Sequence, residues 1–224
     1  MQPPILITGC ARSGTSLTAG IIQLCGAFGG DTAGPNQFNK KGMFENLEIR
    51  DKLCKPHLKS IGCDPLGQKP LPSSHQNFNI TRNQAEEWKD KIEAIFKKQG
   101  YKTGPWFYKG AKACLFWYLW HLAFPTAKWI IVRRDADDIA RSCMQTRFMR
   151  AYHDVLGWLR WIEHHERCFR QMTTAGISLI EVWPKKMIEG DFSEIKEVIG
   201  WLDLEYKEDL ITAFVDPALY GRKS

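Results

Sequence analysis

The chain has 224 residues, 44% hydrophobic and 12% aromatic with nine Trp, which excludes a disordered segment and suits one sizeable domain. Thirty-one Lys and Arg against 25 Asp and Glu leave a formal charge of +6. That excess is too small and scattered to point to nucleic acid; it suits an anionic small ligand or an acidic acceptor.

The first element sets the rest. Ile5-Leu6-Ile7 is an apolar run, Gly9 and Gly14 bound a short loop, and an apolar helical pattern follows Thr15-Ser16. Strand, glycine-bounded loop and helix at the spacing Gly9-x-x-x-x-Gly14-x-Ser16 describe a phosphate-binding P-loop. Glycine lets successive N–H groups converge on phosphate oxygens, and the helix N-terminus adds partial positive charge. Thr15 stands where an NTP-hydrolysing loop has Lys, so the loop is poorly equipped for β- and γ-phosphates. Arg12 inside it offers a bidentate cation for phosphate or sulfate.

The helix after the loop carries Leu17, Ile21, Ile22 and Leu24, and Gly26, Gly29 and Gly30 stop it. Residues 26–42 form a polar loop that reads equally as a substrate lid or an ordinary connection. Phe44-Glu45-Asn46 opens a helix with Leu47, Ile49, Leu53 and Leu58 on one face. Residues 60–80 read as a long loop, and a charged amphipathic helix from about Asn83 to Lys98 follows; residues 60–100 are a candidate insert in a single domain spanning 1–224. Trp106 to Lys109 reads as a short buried strand, and Ala113 to Leu122 as a helix whose aromatics belong to the core. Lys128 to Arg133 is the clearest interior strand, followed by a helix from about Asp137 to Arg147. A helix from Tyr152 to Met172, a strand from Ile177 to Val182 and a helix from Glu194 to Leu202 complete the pattern. Alternating strands and helices predict an α/β fold: three layers, P-loop-like, a central parallel sheet with helices on both faces. Active residues then belong at the carboxyl ends of strands, where Arg12, Lys109 and Arg134 fall.

The cysteines Cys10, Cys25, Cys54, Cys63, Cys114, Cys143 and Cys168 are odd in number and lack ligand spacing. They read as reduced thiols in a reducing, cytoplasmic compartment, with no metal site expected. A strand starting near residue 4 leaves no room for a signal peptide, and Ala113 to Phe124 is too short an apolar run to span a membrane. His164-His165 has no partner at metal spacing.

A second constellation lies in RDADDIARS. Arg134 at the strand end and Ser142 eight residues on, about two turns into the helix, can reach one phosphate; Arg134 can equally pair with Asp135, Asp137 or Asp138. Together the two stretches resemble the sulfotransferase family. Arg12-Ser13-Gly14-Thr15-Ser16 is similar to its 5′-phosphosulfate loop, and Arg134, Asp135, Asp138 and Ser142 match its 3′-phosphate motif, with Ala136 for the usual Pro. Gly200-Trp201-Leu202 is similar to a late signature of the family, so the likeness covers most of the chain. An Arg in the loop resembles the prokaryotic and the carbohydrate- or protein-acting branches.

The resemblance implies 3′-phosphoadenylyl sulfate (PAPS) as donor, adenosine 3′,5′-bisphosphate as product and metal-free in-line transfer to a hydroxyl or amine of a small-molecule or carbohydrate acceptor. It places Ala11, Arg12, Ser13, Gly14, Thr15 and Ser16 on the 5′-phosphate side and Arg134 and Ser142 on the 3′-phosphate. The phenol- and steroid-acting branch has a His base after its third strand; here Lys109-Gly110-Ala111 has none. Gly42-Met43-Phe44-Glu45 resembles the Gly-x-Phe/Tyr-Glu stretch of other branches, which makes Glu45 a candidate base, though an acid at a helix start has its own electrostatic reason. Lys109 or Lys112 is a candidate for the sulfuryl oxygens, and Arg222 for the 3′-phosphate cover. Two other readings stay open: a P-loop kinase of a nucleotide or small metabolite, and a non-catalytic module binding 3′-phosphoadenosine nucleotides.

Overall fold

The structure is a computed structural model that describes residues 1–37 and 39–219. Arg222 lies outside these residues. Four parallel strands, β1 (Ile5–Gly9), β2 (Phe107–Lys109), β3 (Lys128–Val132) and β4 (Leu179–Val182), form one sheet in the order β2-β1-β3-β4. Ile5 pairs with Phe107 on one side and Lys128 on the other, and Trp129 pairs with Leu179. Strand runs such as ILITG and KWIIV are near-continuously apolar because both faces are covered.

Side-chain alternation splits the core in two. Leu6, Tyr108, Trp129 and Ile131 point to one face, beneath α5 (Arg82–Lys98), α6 (Trp117–Ala123), α7 (Ala136–Met144) and α8 (Val155–Thr174). Ile5, Ile7, Phe107, Ile130 and Val132 point to the other, beneath α1 (Thr15–Leu24), α10 (Ser193–Trp201) and α11 (Glu208–Phe214). The larger face holds Trp106, Trp117, Trp120, Trp129 and Trp158, all fully buried. Each such side chain contributes burial of about 1.5–3 kcal/mol or more.

Local chemistry explains the helix starts. In α5, Thr81 Oγ1 accepts from the Gln84 amide while Gln84 Oε1 accepts from the Thr81 amide, a reciprocal cap. Asp135 accepts from the Asp137 and Asp138 amides and starts α7. Asp154 caps α8 through the Gly157 amide.

Between α1 and β2 the chain makes a helical excursion: α2 (Leu47–Ile49), a π-helical turn (Arg50–Cys54), α3 (Lys55–Ser60), α4 (Ser74–Phe78) and α5. The stretch 60–80, expected to be loop, contains α4, again capped reciprocally through Ser73 and Gln76. The helix expected from Ala113 begins as a 3₁₀ turn over Ala113–Phe116 before α6. Two short helices, α9 (Pro184–Ile188) and α11, have no counterpart among the sequence expectations. No helix among the described residues is long and apolar enough to cross a membrane.

Candidate active site

β1 delivers the loop at the carboxyl edge of the sheet. Gly14 caps α1 at φ 103°, a left-handed conformation that only glycine adopts freely, and a Cβ there would lie 2.8 Å from Pro184 Cγ. Arg12 itself sits at φ 73°, an uncommon conformation for a side-chain-bearing residue and one that clusters at functional sites. The amides of Thr15 and Ser16 open α1 and so have no acceptor within their own helix. Ala11, Arg12, Gly14, Thr15 and Ser16 line a cavity of about 520 Å³. Ser13 is fully buried and does not line it; its Oγ faces back toward Gly9. The Ser16 hydroxyl donates to the Met43 carbonyl at 3.3 Å, which ties the loop to the segment bearing Glu45.

The two motifs of the sequence meet here. Arg12 Nε donates to Ser142 Oγ at 3.0 Å, and an Arg134 guanidinium nitrogen donates to the Arg12 carbonyl at 2.9 Å. Residues more than 120 positions apart thus share one small network, and Arg12, Arg134 and Ser142 all face the same cavity. Arg134 also pairs with Asp138, with Nε 4.0 Å from its carboxylate, while Asp135 caps α7. Burial lowers the pKa of Arg12, as does Arg134 beside it. Two crowded guanidinium groups in a partly dry site are an arrangement that an anion relieves.

Glu45 is the second centre. The chain on either side of it is pinned: Phe44 adopts φ 52°, and the Ala33 amide donates to the Glu45 carbonyl at 2.9 Å. Asn46 caps α2 through the Ile49 amide and donates to Gly29 O and Gln99 Oε1. The Glu45 carboxylate is 5% exposed. Its Oε1 is enclosed and makes no hydrogen bond; Lys112 lies 3.6 Å from Oε1 and Arg50 3.9 Å from Oε2, both as ion pairs. Burial alone would raise its pKa, but Lys112, Lys109 and Arg50 outweigh burial and hold the carboxyl below its ordinary range. Lys109, at the end of β2, is 4% exposed and makes no hydrogen bond or ion pair among the described residues. Burial pushes its ammonium pKa down. A carboxylate ion-paired only loosely with Lys112 and Arg50, and a lysine without an ion pair among the described residues, both line the cavity and form a site able to accept a proton and to balance negative charge.

Several wall residues escaped the sequence reading. The 31–46 segment folds back on itself through Met43 and Phe44 amides donating to Ala33 O. Phe44 packs edge-on against Phe214 of α11, and Phe214 also lies against Gly20, where a Cβ would come within 2.4 Å of its ring. Lys41 donates to the Phe214 carbonyl and stands over its ring. On the far side, buried Gln68 fastens two loops: its amide donates to Phe148 O at 2.8 Å, and its Oε1 accepts from the Arg150 and Ala151 amides. Trp161 Nε1 donates to Gly67 O at 2.9 Å. His165, without a partner in the sequence, lines the cavity with Nδ1 2.9 Å from the Trp161 carbonyl. A carbonyl only accepts, so Nδ1 carries the proton and Nε2 is the accepting nitrogen of the neutral ring. Burial pushes its pKa down to about 4. A buried histidine on a long amphipathic helix has no pattern that marks it. Among the described residues no group of His, Cys, Asp or Glu is arranged to hold a metal ion.

The family model described as "Sulfotransferase family" matches residues 3–208. No curated protein matches the chain. Among solved structures it is similar to the sulfotransferase domain from the Synechococcus PCC 7002 olefin synthase, with TM-score 0.56 and 14% identity over 98% of this chain and 86% of that one. It is also similar to sulfotransferase STF1 from Mycobacterium tuberculosis H37Rv, with TM-score 0.50 and 13% identity over 99% and 74%. At such identities the likeness concerns the fold.

Proposed function

The chain belongs to the sulfotransferase family, and from that premise we propose that it moves a sulfuryl group from PAPS to a hydroxyl of a small acceptor. One observation carries the reading: Arg12, Arg134 and Ser142 are hydrogen-bonded into one network on the cavity that also holds Glu45 and Lys109. The residues present fit such a donor. The amides at the start of α1 and Arg12 suit the 5′-phosphate, and Arg134 with Ser142 suits a 3′-phosphate, since a hydroxyl that accepts from Arg12 still has its own proton to donate.

When bound, the donor supplies the sulfuryl group and a bisphosphate leaving group that keeps the bridging oxygen and its electron pair. The protein does the rest. Glu45 takes the proton as the acceptor oxygen bonds to sulfur. Lys109 balances charge on the sulfuryl oxygens, and Arg12 with the helix start balances charge on the leaving phosphate. The cations that keep Glu45 ionised also make it a weak base, so the transfer leans more on charge balance than on proton abstraction. Seven cysteines without a disulfide support a reducing, cytoplasmic setting for this chemistry.

The test is calorimetric titration with adenosine 3′,5′-bisphosphate and, separately, with ATP and Mg²⁺. Tight binding of the bisphosphate and weak binding of ATP are expected. Arg134→Ala should weaken the bisphosphate by about 2–4 kcal/mol, the cost of a lost charge-assisted contact in a partly buried site. Preference for Mg-ATP would overturn the reading in favour of a kinase, and binding of neither in favour of a module without this donor.

A further inference from the structure

Beyond Glu45 the cavity changes character. One wall is cationic: Arg50, Lys55 and Lys112 join Lys109 there, with side chains only 21%, 32% and 14% exposed for the first three. Two carboxylates face them. Asp51 accepts from Arg50 at 2.9 and 2.7 Å and pairs with Lys55 at 2.7 Å. Glu45 stands off from Lys112 and Arg50 at 3.6 and 3.9 Å. Four cations against two carboxylates leave a surplus of two, and the surplus grows when Glu45 takes a proton. The cavity is also lined by apolar Leu66, Phe148, Met149 and Trp161, with the Leu66–Gly67 turn lying against the Lys112 stem.

The backbone is shaped to build the cationic wall. Arg50 and Lys55 are five residues apart, and on a regular α-helix they would point about 140° apart. Here the Lys55 amide donates to the Arg50 carbonyl, closing a π-helical turn over 50–54 that carries both side chains to the cavity. Such turns are rare and recur at functional sites.

We propose that the acceptor is an amphipathic hydroxy acid: a hydroxyl for sulfation, an apolar body against the apolar lining, and an anionic carboxylate or phosphate head held by Arg50, Lys55 and Lys112. The proposal rests on the sulfotransferase reading, because it takes this part of the cavity as the acceptor side. A cavity of about 520 Å³ shared with a nucleotide confines the buried part of the acceptor to small-molecule size. A neutral alcohol would leave the cationic surplus unpaired, whereas an oxyanion pairs it in a setting where charge-assisted bonds are strong.

The experiment uses the full chain and two titrations. The first, with adenosine 3′,5′-bisphosphate, compares wild type with Lys55→Gln and Lys55→Glu; equal, tight binding in all three shows an intact donor side. Loss of binding in wild type would be the failure of the donor reading, not of the acceptor class. The second titrates the bisphosphate-loaded protein with alkyl and aryl hydroxy acids, each matched to its methyl ester and to a phosphate monoester of the same body. Acids are expected to bind at least about tenfold tighter than their esters, and the advantage should shrink in high salt. Lys55→Gln should narrow the gap and Lys55→Glu should reverse it. The phosphate series shows which oxyanion the wall prefers. Equal binding of acids and esters, tighter binding of esters, or no binding of any acid by bisphosphate-loaded wild type would overturn the proposal.

Discussion

At the scale of single residues, the site is defined by groups that are buried but not spent. Among the described residues, Glu45 Oε1 is enclosed without a hydrogen bond, Lys109 is buried without one, and both residues line the cavity. Leaving such groups unsatisfied costs on the order of 1–3 kcal/mol each, a cost that a substrate recovers on binding. Glu45→Gln keeps the shape and removes the proton acceptor. It should cut turnover at least about a hundredfold while bisphosphate affinity stays as in wild type; near-normal turnover in a steady-state assay would eliminate Glu45 as the base. Part of this was legible in the chain. The short stretch around Glu45 was marked by family likeness, not by periodicity, because one acid before a helix is electrostatically ordinary. Ser13 shows the opposite case: it sits inside the motif yet turns under the loop, and no spacing rule says which way a hydroxyl will point.

At the scale of elements, the strand–loop–helix unit was readable because each part obeys a local rule: an apolar strand, glycines where φ is positive, and an apolar stripe on the helix. Gly14 tests the unit. Alanine there must adopt φ near 103° and place its Cβ 2.8 Å from Pro184 Cγ. Gly14→Ala should cost about 1–3 kcal/mol by denaturant melts and weaken bisphosphate binding as the loop shifts. An unchanged midpoint and affinity would mean the loop tolerates other conformations. Elements that were not readable share a cause. α9 and α11 span five and seven residues, too short for a period to emerge. The π-helical turn is invisible because Arg50 and Lys55 look like ordinary surface charges until the backbone widens beneath them. α4 went unread because Pro, Gly and Ser around it signal loop more strongly than five residues signal helix.

At the scale of the molecule, the sheet separates two cores, and the larger carries the titratable liabilities. Burial holds both His57 and His165 to pKa values of about 4. Each folded value lies below the unfolded one near 6.5, so the unfolded chain binds more protons in acid. The stability each contributes is fully present above about pH 6.5 and is lost as pH falls toward 4. For fully buried His165 the loss is on the order of 3 kcal/mol. Urea melts at pH 7, 5 and 4 should show the midpoint falling, and His165→Phe should flatten that slope whatever it does at pH 7. A slope identical to wild type would mean His165 is protonated in the folded state.

Phe214 meets Phe44, Gly20 and Lys41 and so helps to close the cavity beside the loop. The stretch that matches the family ends at residue 208, where α11 begins, yet Phe214, Asp216 and Leu219 wall the cavity. The loop, Glu45, Lys109, Arg134 and Ser142 lie inside the matched stretch, whereas one side of the cavity is closed by residues that follow it. A smaller side chain at Phe214 would therefore change what fits beside the loop without disturbing the sheet or the residues it aligns.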